Sequence, residues 1–203
     1  MSVRLTRYLL IAGVFACFSC FAMEAMAAIL LVPRQHPTIQ EAVTQAKPGD
    51  TIRVAAGHYS ETVTMSKGII LEGGWNQFFT TRDFSRNASI IDGSKGMGPT
   101  VYGADEAVLD GFTVKGGSPP MIMPDAPVGP GIYCYGLTDF TIRNNFITEN
   151  NAAGIYAGFS IILVANNVIS ANKRGGVYLE FSAARIIDNR ISYNGLGGVY
   201  AGI

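Results

Sequence analysis

The sequence predicts an all-β fold, a right-handed parallel β-helix whose coils hold about 22 residues each, with a short capping helix near its N-terminal end. Two observations carry this. A short phrase returns as Gly131-Ile132-Tyr133, Gly154-Ile155-Tyr156, Gly176-Val177-Tyr178 and Gly198-Val199-Tyr200, at steps of 23, 22 and 22 residues. Two further landmarks keep the same period between these phrases. Asn144-Asn145, Asn166-Asn167 and Asp188-Asn189 are 22 apart, and so are Asn150, Asn172 and Asn194. Landmarks sharing one period mark a unit stacked on copies of itself.

Within each coil lie three short runs rich in β-branched and aromatic residues, such as 154–157, 161–165 and 168–171, separated by Gly and Asn. No coil has room for the amphipathic helix that a βαβ or leucine-rich unit requires, so its strands must stack directly on those one coil away. Asn145, Asn167 and Asn189 fall in the same column as Gly93 and Gly111 of two Asp-Gly pairs. Gly and Asn tolerate the left-handed backbone, so this column reads as a structural turn ladder, with Asn side chains hydrogen-bonded along the axis.

Upstream the coils are less regular, with strands expected in 51–54, 69–72, 89–92 and 108–114. Residues 75–87 and the Pro-rich stretch 118–130 read as loops thrown out from turns. Thr38 to Ala46 places Ile39, Ala42, Val43 and Ala46 on one helical face, and Pro48-Gly49 stops the helix. This helix is expected to cover the first coil.

The chain has 203 residues, with Lys plus Arg equal to Asp plus Glu at 15 each, so no basic excess points to nucleic acid. Residues 1–27 read as a secretory signal peptide, with Arg4 and Arg7, an apolar run from Tyr8 to Met23, and Ala25-x-Ala27 as the cleavage signature. The expected mature domain is 28–203, with no membrane span once the signal is cleaved, placed outside the cell, in the periplasm or on the cell surface. Cys17 and Cys20 would leave with the signal, so only Cys134 stays and no internal disulfide forms.

Alternation along the recurring strand sends Ile132, Ile155, Val177 and Val199 inward with Cys134, Ala157, Leu179 and Ala201. Tyr133, Tyr156, Tyr178 and Tyr200 then point outward as a column about 4.8 Å apart, offering ring faces and hydroxyls to an extended glycan. Stacked rings also stabilise a strand ladder by themselves, which is the competing reading. Lys173, Arg174 and Glu180 lie near this column as candidate binding side chains, with Arg143 and Arg185 on the next strand. Cys134, small and inward, reads as an inert core residue. His36 and His58 read as solvated loop and turn residues.

The stretch TIQEAV..A.PGDTIRVAAGHYSETV...KGIILEGG, residues 38–74, and the later GIY...NN.I..N coils resemble the pectin-lyase-like right-handed β-helix proteins, the first part being similar to the cap of pectin methylesterases. The resemblance implies polysaccharide chemistry, yet the catalytic blocks of the enzyme branches are absent. There is no Asp-Phe-Ile-Phe-Gly with Arg-Pro-Trp, no Asn-Thr-Asp with Asp-Asp and Gly-His-Gly, and no Arg-x-Pro-x-x-Arg. No catalytic residue, cofactor or metal site is therefore assigned.

The expected function is an exported β-helix protein that binds or processes a polysaccharide. Its rivals are a structural or adhesin-like surface β-helix and a periplasmic accessory protein for metalloenzyme maturation. For the last role the mature chain offers Met65, Met97, Met121 and Met123 as soft ligands. The sequence stops at Ile203 in mid-strand, which suggests a truncated chain or end-to-end stacking.

Overall fold

The computed structural model describes residues 26–118 and 129–202. Residues 1–25 of the signal segment, with Cys17 and Cys20, Met121, Met123 and most of the Pro-rich stretch lie outside them. The chain winds into a parallel β-helix whose three sheets run along its length, with coils stacked in chain order. The first sheet takes strands Ile29–Val32, Thr51–Ala55, Ile70–Trp75, Ala107–Asp110, Phe140–Arg143, Ile161–Ala165 and Ala183–Ile187. The second takes Gly57–Tyr59, Ser89–Asp92, Phe112–Lys115, Phe146–Thr148, Val168–Ser170 and Arg190–Ser192. The third takes Val63–Thr64, Val101–Tyr102, Ile132–Tyr135, Ile155–Gly158, Val177–Glu180 and Val199–Gly202.

Every sheet turns alternate side chains inward, and these rows stack like on like. Val63, Val101, Ile132, Ile155, Val177 and Val199 follow one another in the third sheet. Ile52, Leu71, Leu109, Ile142, Val164 and Ile186 do the same in the first. Branched side chains repeat because each sits on an equivalent pleat one coil away, where a neighbour of the same shape packs without voids. Val199 and Ala201 keep this register but are exposed, since no described coil lies over them.

Helix Ile39–Gln45 begins at Thr38, whose hydroxyl accepts the Glu41 N–H at 3.1 Å. Ile39, Ala42 and Val43 are buried and join the core, so the helix roofs the first coil. The expected strand 108–114 is two strands in different sheets, because Gly111 at φ +81° turns the chain between them.

Each coil turns three corners, and from Asn144 onward each corner carries a left-handed residue followed by an Asn or Ser. Between the first and second sheets the left-handed positions are Gly111, Asn144, Asn166 and Asp188. This corrects the expected column by one residue: Gly111 pairs with Asn144, and Gly93 belongs to a different corner. Asn145, Asn167 and Asn189 come next and turn their amides inward. Their side-chain oxygens accept the backbone N–H of Phe112, Asn145 and Asn167 at 2.9, 2.9 and 2.8 Å. At the second corner Asn150, Asn172 and Asn194 repeat this for Gly117, Asn150 and Asn172. At the third, Ser160 and Ser182 take the N–H of Leu137 and Ser160. Buried donors at a bend must find acceptors, and these ladders supply them.

The recurring glycine follows from the second ladder. A Cβ at Gly154 would stand 2.8 Å from the Asn172 side-chain nitrogen, and one at Gly131 would stand 2.6 Å from that of Asn150.

Candidate functional site

The outer face of the third sheet holds most of the candidate residues. Tyr133, Tyr156, Tyr178 and Tyr200 occupy equivalent positions in consecutive coils. Their ring centroids are 5.2, 5.7 and 4.6 Å apart with planes within 17° of parallel, and Tyr102 meets Tyr133 edge-on at 5.9 Å. The ring faces are therefore covered by neighbouring rings, apart from the outer face of Tyr200, which no ring among the described residues meets. What this column presents to a ligand is ring edges and hydroxyls, not the open faces expected from alternation alone. Tyr156 is buried by its neighbours, Tyr133 and Tyr178 are half-buried, and Tyr200 is exposed.

The rings lean along their strands toward a second outward row, Tyr135, Gly158, Glu180 and Gly202. A Cβ at Gly158 would stand 3.0 Å from the Tyr156 hydroxyl, so the missing side chain makes room for that ring. The Tyr156 hydroxyl donates to the Glu180 carboxylate. Burial, and then the hydrogen bond to Glu180 and its charge, push the Tyr156 phenol well above its ordinary range. Burial raises Tyr133 and Tyr178 as well, so these three phenols keep their protons at neutral pH and donate hydrogen bonds.

Ala152, Ala153, Arg174, Gly175, Tyr178, Glu180, Leu196 and Tyr200 enclose a cleft of about 390 Å³ beside this column. The structure thus brings Arg174, Glu180, Tyr178 and Tyr200 together. Lys173 is exposed and does not line the cleft. Arg143 lies on the first sheet, where its Nε donates to Asp110 at 2.7 Å, and Arg185 is on that sheet too.

Three features escaped the reading of the sequence. Phe159, Phe181 and Ile161 form an exposed apolar ridge next to the Glu180 row, met edge-on at 5.6 Å by Tyr135 from within that row, with Phe159 and Phe181 stacked at 5.1 Å. The 22-residue spacing of Phe159 and Phe181 was a usable signal. His58 is in a strand rather than a turn, and its Nε2 lies 2.8 Å from Asp92 Oδ2, a pairing across 34 residues that no local pattern reveals. Finally, Asp110 is buried under Arg82 and Arg143, with Glu72 beside Arg82 and Arg53 over the Trp75 ring.

Cys134 is fully buried, and burial drives its thiol far above the ordinary range, which leaves no thiolate for chemistry. Among the described residues no three His, Cys, Asp or Glu side chains gather as a metal site would need. Met65 is buried in the core and Met97 is exposed. No helix among the described residues is long and apolar enough to cross a membrane.

A family model described as a right-handed beta helix region matches residues 60–202. The chain belongs to the right-handed β-helix family. No curated protein and no solved structure matches this β-helix.

Proposed function

We propose that this β-helix is an exported, non-catalytic protein that binds an extended polysaccharide along the outer face of its third sheet. The observation that supports it is the column of tyrosine hydroxyls at coil spacing, continuous with a cleft holding Glu180 and Arg174. A polymer with repeating hydroxyls matches a surface whose hydrogen-bonding groups repeat. Shallow apolar contact comes from the ring edges and the Tyr135–Phe159–Phe181 ridge. Export rests on the Arg4/Arg7, apolar run and Ala25-x-Ala27 pattern.

The test is binding to a panel of soluble polysaccharides by the chain starting at Ala28, compared with the double variant Tyr178→Phe plus Tyr200→Phe. This pair keeps the stacked rings and removes only hydroxyls. Binding by the wild type that weakens at least tenfold in the variant is the expected result. Binding to no glycan overturns the proposal.

A second reading is a structural surface β-helix in which the tyrosines serve only to hold coils together. The mutual covering of the ring faces favours it, because the stacking is then the product rather than a by-product. It requires that removal of a ring lowers stability and that no polysaccharide is bound.

A further inference from the structure

We infer that the cleft beside Tyr178 and Tyr200 selects an uncharged sugar unit bearing adjacent hydroxyls, and that Glu180 is the residue that excludes acidic ones; this rests on the polysaccharide-binding reading above. The cleft walls carry one acid and one base, Glu180 and Arg174, and the rest of the lining is uncharged. With one charge of each sign it has no net charge to gather an ionic ligand from solution.

Neither charge is neutralised by the other or by a third group. Among the described residues no ion pair involves Glu180 or Arg174. Glu180 is held in place by the Tyr156 hydroxyl, which occupies only part of its acceptor capacity. The positions one coil to either side in its row are Gly158 and Gly202, so no side chain from that row covers the carboxylate. A fixed, open carboxylate accepts from two neighbouring hydroxyls at once, while the guanidinium of Arg174 donates to hydroxyl or ring oxygens on the other side. Leu196 and the Tyr200 ring, both exposed, give the C–H face of a sugar ring an apolar surface. An ionised sugar carboxylate in the same place would meet Glu180 as a like charge in a partly desolvated cleft.

The experiment uses the chain starting at Ala28 and four probes: galactomannan and xyloglucan as neutral polymers, polygalacturonate and alginate as acidic ones. Affinity is read by gel retardation and calorimetry, and folding of each variant is checked by thermal unfolding. The expected result is retardation by a neutral polymer, at least tenfold weaker retardation by the acidic ones, and a narrowing of that preference in Glu180→Gln. Arg174→Ala, an exposed position, should weaken neutral binding without creating acidic binding. Preferential binding of an acidic polymer that is lost in Arg174→Ala overturns this inference and leaves polysaccharide binding standing. Binding of none of the four, together with failure across the wider panel, overturns both.

Discussion

Asn145 donates both its backbone N–H and its side-chain amide to Oδ1 of Asn167, at 2.9 and 3.1 Å. Asn167 in turn donates to the carbonyls of Ile142 and Ala165 and to Oδ1 of Asn189. Asn167→Ala removes all these partners at a buried corner and should cost about 2 to 4 kcal/mol. Asn189→Ala, at a half-exposed corner where water replaces the lost bonds, should cost about half as much. Urea unfolding midpoints of the two variants check the order.

The glycine phrase makes a sharper contrast. At Gly154 an added Cβ would meet Ile169 Cγ2 at 2.7 Å and the Gly176 carbonyl at 2.8 Å, whereas at Gly175 the nearest atom is 3.9 Å away. Gly154→Ala should lose about 2 kcal/mol or more through forced separation of adjacent coils. Gly175→Ala should stay within about 0.5 kcal/mol or gain slightly, since it restricts the unfolded chain without a clash. Thermal unfolding separates the two.

Asp110 sets the acid limit of stability. It is buried, and it accepts from Arg82 Nη2 at 2.7 Å, Arg143 Nε at 2.7 Å and Asn144 Nδ2 at 2.9 Å. Burial alone would raise its carboxyl, but these donors outweigh it and hold the carboxyl below the ordinary range. A carboxyl depressed on folding adds stability that is present above the unfolded value of about 4 and is lost as pH falls through the folded value. Asp92 and Asp50 are depressed as well, so they act in the same direction. Thermal stability should therefore be flat near neutrality and fall below about pH 4. Asp110→Asn should lower it by about 2 to 3 kcal/mol at pH 7 and flatten the acid slope.

Cys134 reports on opening of the core. In a chain starting at Ala28 its buried thiol should resist a maleimide reagent under native conditions and label fully in urea, because reaction requires both access and a thiolate. Fast native labelling would mean that the coil around Cys134 opens far more easily than its packing implies.

The fold was legible because a solenoid writes its geometry as a period. Gly154 and Gly176, Asn145 and Asn167, and Tyr156 and Tyr178 each repeat at 22 residues along the chain. Repetition shows which residues are equivalent but not which way each one turns, so the left-handed corner was placed one residue late, on Asn145 instead of Asn144. A corner residue and its inward neighbour are both tolerant polar types, and only the hydrogen bonds tell them apart.

By itself, then, the sequence determined the parallel β-helix, its three strands per coil, the inward rows and the column of tyrosines, because each depends on identical neighbours one period away. The tertiary structure alone decided that the ring faces close on one another, that Tyr156 donates to Glu180, that Arg174 shares their cleft while Lys173 does not, and that Asp92 meets His58. Those relations depend on side-chain direction at corners and on contacts between unlike residues of different coils, which no single period encodes.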